Sequence, residues 1–481
     1  MPWCGRPWAW MHPQNSQSLE RVAGFKSRLN EMPRSVREGR LSRVSGLLYE
    51  VHGLPMTIGD RATINLGEQA VEAECIGFNG GTTYLMPVDP VEGISPGAAV
   101  YPLGTPYFEG AGFKVQKTAS ALPLGESLLG RIVDGFGRPI DGKGIDAHGV
   151  PGVPTRRVNP LHRAPIREPL DSGIRAINGA LTVGRGQRVG IFAGSGVGKS
   201  VMLGMLARNC IADVMVIGLV GERGREVREF CVDILGDQAM HRSVVVAAPA
   251  DASPLARVRG AYYATDVATW FRDQGKHVVL IVDSLTRFAM AQREIGLSLG
   301  EAPVSRGYTP SVFAKMPELV ERVGNGARED ASITAFYTIL LEGDDVHDPV
   351  ADTARGILDG HVFLSRELAD SGHYPAIDIE KSISRVMPKV TTKEHQAAAR
   401  KFKMLYSRYM RGRELLSMGA YVPGGDAELD MAVRMWPQIQ RYLQQDAEEA
   451  HSMENALAEM MKIAAAAGGA PSANAAARQA G

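Results

Sequence analysis

Cysteine is scarce in this chain. Cys4, Cys75, Cys210 and Cys231 are its only four among 481 positions, with no Cys-x-x-Cys pair. That usage points to reduced structural thiols in a cytosolic protein rather than a disulfide framework. Neither sign of charge is in excess: Lys and Arg total 53, as do Asp and Glu. A global electrostatic footprint for nucleic acid is therefore missing. Long apolar runs are missing too; none approaches the roughly 18 residues of a membrane-spanning helix. The opening Met1-Pro-Trp-Cys-Gly-Arg-Pro-Trp lacks the apolar core of a signal peptide and differs in character from the rest of the chain, so Met11 is an alternative start. No repeat of solenoid period is evident, and the length implies two or three domains.

Glycine, by contrast, is plentiful, and one cluster of it carries information. Ala193-Gly194-Ser195-Gly196-Val197-Gly198-Lys199-Ser200 follows a short apolar run, Val189-Gly-Ile-Phe192, and leads into a helical pattern from Val201. This is the strand–loop–helix context of a phosphate-binding P-loop. Its glycines let backbone N–H groups converge on phosphate oxygens, and the helix N-terminus adds favourable partial charge. Lys199 is placed to reach the β- and γ-phosphates and Ser200 to offer its hydroxyl to Mg²⁺. The chain is expected to bind a nucleoside triphosphate, ATP.

The pattern around this loop is that of a multidomain protein. Residues 16–32 read as a short amphipathic helix, with Leu19, Val22, Phe25, Leu29 and Met32 on one face and Pro33 ending it. Residues 20–43 hold seven Lys/Arg against three Glu, which suits either a solvated face or a segment that docks on a partner helix or an anionic membrane. Short alternating segments from Gly39 to Leu103, with an Asn79-Gly80-Gly81 turn, predict a small N-terminal β-barrel. Gly- and Pro-rich residues 104–180 read as a connector. From 181 to about 385, apolar runs (Val214–Val220, Ser243–Ala248, His277–Val282, Ile333–Leu340) alternate with helical patterns and predict a central α/β domain with a parallel sheet. Helical segments follow at Lys393–Met418 and Asp426–Ile463, with a break or kink expected at Pro437. The Ala/Gly-rich end reads as disordered. The expected boundaries are 1–35, 36–105, 106–388, 389–463 and 464–481.

Two carboxylates accompany the P-loop. Asp283 ends the buried run His277–Val282, where a strand-tip carboxylate serves a Mg²⁺–nucleotide complex. Glu222, with Arg223 beside it, follows the run Val214–Val220 and is the candidate for orienting the attacking water.

The segments AGSGVGKS, GERGREV, HVVLIVDSLTRFAMAQREIG, GYTPSVFAKMPELVERVG and HYPAIDIEKSISRVMP together resemble the hexameric rotary-type ATPases related to F1. Within them the chain is most similar to the type III secretion ATPases, over about residues 25–460. The phrases Glu342-Gly-Asp-Asp345, Ile357-Leu-Asp-Gly-His361 and Asp378–Arg385 resemble the flagellar branch more than the injectisome branch. The resemblance implies a RecA/F1-like nucleotide domain. It implies phosphate and metal roles for Lys199, Ser200 and Asp283, and nucleotide contacts from the P-loop, Val201, Arg223 and Arg287. Glu222 matches the family's catalytic carboxylate, Tyr374 an aromatic stacking on adenine, and Tyr421, more loosely, a second wall of the base pocket. Arg385 matches an arginine finger that reaches the neighbouring subunit's nucleotide.

What the resemblance implies in function is a homohexameric ATP-hydrolysing motor of flagellar protein export, cytoplasmic and peripherally associated with the inner membrane. It would release substrates from chaperones and meet export-gate membrane proteins, a coiled-coil stalk in its pore, and a regulatory stator-like protein at its N-terminal segment. Alternatives are an injectisome ATPase, a rotary ATP synthase catalytic subunit, and a Rho-type RNA motor. Residues 393–420 carry no acidic run of the kind that couples the synthase subunit to its shaft. Residues 39–103 hold few aromatics (Tyr49, Phe78, Tyr84, Tyr101) for stacking RNA bases, so no nucleic-acid partner is expected. A non-catalytic subunit is disfavoured by the joint presence of Lys199, Glu222, Asp283 and Arg385.

Overall fold

Six short strands between Gly39 and Pro102 close on themselves in the computed structural model of the chain. That structure describes residues 37–67, 69–103, 106–109, 112–115, 122–144, 158–328, 330–341, 343, 345 and 347–467. The predicted helix at 16–32 and the tail beyond 467 lie outside them. Contacts divide the chain into two units, Met1–Ser120 and Ala121–Gly481.

In the first unit β1 (Gly39–Ser45), β2 (Leu48–His52), β3 (Arg61–Asn65), β4 (Ala70–Asn79), β5 (Thr82–Pro87) and β6 (Ala99–Pro102) form a closed antiparallel barrel in the order β1-β2-β5-β4-β3-β6. Leu41, Val51, Ile64, Leu85 and Val100 fill its interior, and pairing of Gly39 with Val100 seals it, so no strand edge is left open. The Asn79-Gly80-Gly81 turn joins β4 to β5 as expected. β1 and β2 fold over a turn at Gly46. A further ladder joins β7 (Pro106–Glu109) to β8 (Gly112–Val115).

The second unit is built on an eight-stranded sheet. Its strands are β9 (Arg131–Val133), β10 (Arg188–Ala193), β11 (Val214–Val220), β12 (Ser243–Ala248), β13 (His277–Asp283), β14 (Ser332–Leu340), β15 (Gly360–Leu364) and β16 (Ile377–Ser384), in the order β16-β15-β10-β14-β13-β11-β12-β9. Seven are parallel, and β16 runs against β15. β11, β12 and β13 are continuous apolar, β-branched runs that carry no outward polar face, as a sheet covered by helices on both sides requires. The connector read at 104–180 contributes β9, a strand its Gly/Pro content hides. It is pinned by a two-pronged Arg131–Asp141 pair (2.7 and 2.9 Å) that holds the Asp141 carboxyl well below the usual carboxylate range. Some of the helices start at polar caps. Ser253 accepts from the Ala256 N–H ahead of Pro254–Asp273, and Ser284 accepts from the Arg287 N–H ahead of Leu285–Ser298.

The helical end packs into the same core as the sheet. Phe402 and Tyr406 of the helix Lys393–Ser417 and Ile439 and Tyr442 of the helix Ala427–Leu443 join the cluster that contains Ile177 and Leu206. Tyr409 stacks on Trp436 at 3.8 Å between these two helices. The expected second segment, Asp426–Ile463, is two helices rather than one, because the chain turns at 444–452 before Met453–Ala466. Pro437 lies inside the first of them. There, burial of Met435, Ile439, Tyr442 and Leu443 outweighs the one backbone bond a proline forfeits. The break falls where Gln445 caps other chain: its Oε1 accepts from the Arg175 N–H (2.8 Å) and its Nε2 donates to Gly173 (2.9 Å).

Candidate functional site

The carboxyl ends of β10, β11, β13 and β14 border a cavity of about 750 Å³, where open parallel sheets place their ligands. Its walls include Gly194, Ser195, Gly196, Gly198, Lys199, Ser200, Val201, Glu222, Asp283 and Arg287. The first wall is the turn from β10 into the helix Lys199–Asn209. Gly198 sits at the N-cap with φ 88°, left-handed backbone that an L side chain adopts only with strain, and a Cβ there would lie 3.2 Å from the Tyr374 ring. No side chain caps this helix, so its first-turn N–H groups remain uncommitted beside the cavity. Ala193 ends β10, and both it and Val197 are buried; their side chains are core rather than cavity wall.

The Lys199 Nζ donates to Glu222 Oε1 at 2.8 Å and to Asp283 Oδ1 at 2.5 Å. All three side chains are nearly out of solvent. Burial lowers the lysine's affinity for its proton, but the two carboxylates outweigh it and hold the ammonium above its ordinary value. One ammonium serves two carboxylates, so the trio is short of positive charge. Asp283, the most deeply buried member, is pushed up by burial and by Glu222, against the pull of Lys199 and Thr338. The Thr338 hydroxyl donates to Asp283 Oδ1 at 2.6 Å. Sequence reasoning missed Thr338. The available signal was a threonine near the carboxyl end of the apolar run Ile333–Leu340, and pairing of Val282 with Tyr337 puts the next residue, Thr338, beside Asp283.

The remaining expected residues divide. Arg287 lines the cavity, and its buried Nε has no hydrogen-bond partner among the described residues, leaving cationic capacity uncommitted. Arg223 also lines it but is 80% exposed, with Glu226 at 3.5 Å. Arg366, absent from the sequence reading, forms part of the same wall. Tyr374 lies against Gly198 outside the cavity lining, its carbonyl accepting from the Gln445 N–H at 3.0 Å. Tyr421 is not brought to the cavity; from the loop before the helix Ala427–Leu443 its hydroxyl donates to Asp430 in the first turn of that helix at 2.5 Å.

Arg385 is at the other end of the sheet. Antiparallel β16 pairs Ile377 with Leu364 and Ser384 with Gly360, while Leu364 also pairs with Ala193, the residue just before the P-loop. The Arg385 N–H donates to the Asp359 carbonyl at 3.1 Å. Five residues of extended chain from Leu364 to Asp359 span about 16 Å. Arg385 therefore stands far from the cavity of its own chain.

A P-loop with two strand-end carboxylates on a parallel sheet is the arrangement of a nucleoside triphosphatase. Residues 173–384 match the ATP synthase alpha/beta family, nucleotide-binding domain, and residues 391–462 match the T3SS EscN ATPase C-terminal domain. The chain is 51% identical over 461 residues to a flagellum-specific ATP synthase of Pseudomonas aeruginosa, covering 95% of this chain and 99% of that one. It is 53% identical over 444 residues to the Salmonella typhimurium protein of the same description, covering 91% and 96%. The assembled ATPase EscN of the enteropathogenic E. coli type III secretion system superposes with a TM-score of 0.80 at 39% identity, over 89% of this chain and all of that one. The chain belongs to the flagellum-specific ATP synthases, the flagellar members of the type III secretion ATPases. It is an ATPase. No helix among the described residues is long and apolar enough to cross a membrane.

Proposed function

We propose that the chain works as a homohexameric motor of flagellar protein export, with each active site completed by the neighbouring subunit. The observation that carries this reading is the placement of Arg385 at the opposite end of the sheet from its own P-loop. A guanidinium there serves a phosphoryl group only on another chain. One relative is an assembled ATPase, and another structure of it holds a central stalk, EscO. The proposed partners are a comparable stalk, a stator-like regulator at the N-terminal segment, export-gate membrane proteins and chaperone–substrate complexes. ATP-driven release of substrates from chaperones is the proposed work.

The residues suit a Mg²⁺–nucleotide. Among the described residues Arg287 Nε is buried without a hydrogen-bond partner, no side chain caps the helix that follows the P-loop, and Ser200 is an exposed residue of the cavity lining. Among the described residues no cluster of three or more His, Cys, Asp or Glu forms a metal cage. A divalent cation would therefore rest on the Ser200 hydroxyl, with Asp283 as the adjoining carboxylate, and take its other ligands from phosphate and water. Bound there, it neutralises charge on the β- and γ-phosphates.

Without nucleotide, Lys199 is shared between Glu222 and Asp283 as hydrogen-bond donor and only cationic partner of the trio. A triphosphate in the cavity competes for that ammonium. Once Lys199 turns to the phosphates, Glu222 is freed to accept a hydrogen bond from a water and hold it for in-line attack. The carboxylate is thereby released only when substrate is present. Arg287 takes up phosphate charge from its own chain, and Arg385 of the neighbour supplies the last positive group as charge develops. Tyr374, beside Gly198, is the platform proposed for the base.

Mixing inactive variants tests the shared site. Arg385→Ala chains keep an intact P-loop, and Lys199→Ala chains keep an intact arginine. Mixed assemblies are expected to hydrolyse ATP where neither variant does alone, and absence of activity at every mixing ratio would overturn the shared site.

A further inference from the structure

We infer that Asp359 and Arg188 are positioning residues for Arg385, an inference that rests on the shared-site reading above. Arg385 follows the last residue of β16, an edge strand, and has no carboxylate partner among the described residues. Among the described residues its guanidinium donates only to carbonyls at the end of the helix Pro349–Ile357 and just beyond it: Nη2 donates to Arg355 at 3.2 Å and Nη1 to Leu358 at 3.4 Å. Such contacts are weak and reversible, which suits a group that must extend to another chain. The backbone from which it extends is held in quite a different way.

The Arg385 N–H donates to the Asp359 carbonyl at 3.1 Å. Asp359 in turn is clamped to Arg188, the first residue of β10. Its Oδ2 accepts from the Arg188 backbone N–H at 3.0 Å and from Nε at 2.9 Å, and its Oδ1 accepts from Nη2 at 3.2 Å. The Asp359 N–H donates back to the Arg188 carbonyl at 2.8 Å. A two-pronged guanidinium–carboxylate pair fixes orientation as well as distance. Both side chains are mostly removed from solvent, so the pair is little screened.

Fully buried Gln187, one residue earlier, reinforces the clamp. Its Nε2 lies 3.2 Å from both the Asp359 carbonyl and the Ser384 Oγ. Ser384 Oγ donates to the Thr182 carbonyl at 2.7 Å. The residues on both sides of the strand reversal are thus tied to the start of β10, while the arginine side chain between them and the neighbour stays loosely held. This is how a mobile guanidinium is given a fixed root.

Asp359→Asn removes the charge and one arm of the clamp while keeping the volume. In the full-length chain, turnover is expected to fall about 10- to 100-fold, the cost of a misplaced catalytic group. Binding of a fluorescent ATP analogue to the variant's own cavity should change by less than about twofold, because the P-loop is at the other end of β10. Mixing separates positioning from general damage. Asp359→Asn chains mixed with Lys199→Ala chains should regain activity, since the intact arginine then comes from the Lys199→Ala neighbour. Arg188→Lys, which keeps charge but loses the fork, is expected to behave alike, and carries the same test if Asp359→Asn does not fold. Should Arg385→Ala be rescued by Lys199→Ala while the clamp variants are fully active or are not rescued, the positioning role is overturned and the shared site stands. Failure of the Arg385→Ala mixture overturns the shared site itself.

Discussion

Replacing Thr338 by valine removes one hydroxyl from the floor of the cavity at almost constant volume. In the native chain that hydroxyl donates to Asp283 Oδ1 at 2.6 Å, and both residues are buried. A hydrogen bond to a charged acceptor contributes about 1.5–3 kcal/mol. For a unit as large as Ala121–Gly481 each kcal/mol moves the melting temperature by roughly 1–2 °C, so Thr338→Val should melt about 2–5 °C lower. The effect also has a pH signature. Burial raises the Asp283 carboxyl above its unfolded value. A carboxyl raised on folding favours the fold most below its unfolded value, and that contribution is lost as pH climbs through the folded one. Losing the Thr338 donor raises the carboxyl further and enlarges the penalty of keeping it ionised. The deficit of Thr338→Val against wild type should therefore be greatest at pH above the raised folded value of Asp283 and shrink as pH falls through it and Asp283 takes up a proton. Calorimetric melts at several pH values, with Thr338→Ser as the hydroxyl-retaining control, measure it directly. A deficit independent of pH, or one shared equally by Thr338→Ser, would refute the reasoning.

Glu222→Gln should retain nucleotide binding yet lose about 10²- to 10⁴-fold in turnover, read by a steady-state phosphate-release assay; near-normal turnover would remove the carboxylate from the chemistry. The thiols give a check on the core. Burial pushes Cys210 up to about 12 and Cys231 up to about 11, so both should resist iodoacetamide in the native chain and react after denaturation, as peptide mass spectrometry can map.

Legibility from sequence followed the kind of interaction involved. The P-loop is local, since its glycines, lysine and serine act through neighbouring backbone, and the structure finds Lys199 between the two carboxylates picked out at the ends of β11 and β13. The barrel strands were legible because alternation and turn residues act over a few positions. β9 was hidden because a three-residue strand among Gly and Pro has no periodicity of its own; its place depends on β12, over a hundred residues later. Thr338 was hidden because its meaning comes from the register of β14 against β13. Tyr421 was suggested by family likeness alone, and the structure has its hydroxyl on Asp430. At Pro437 the helix is not broken, because the apolar face that Ala427–Leu443 buries outweighs the proline's local cost, which is all that sequence shows.

The reversed direction of β16 has a consequence for economy in the cell. Were this strand parallel to its neighbours, Arg385 would emerge at the same end as Lys199, and a solitary chain would carry every group for hydrolysis. Running the other way, it leaves each chain, under the proposed shared site, short of one positive group that only another chain supplies. Specific activity should then climb steeply with protein concentration and collapse on dilution. Dispersed chains would idle with nucleotide bound, and ATP would be consumed only where chains are gathered, so the place of assembly also becomes the place where fuel is spent.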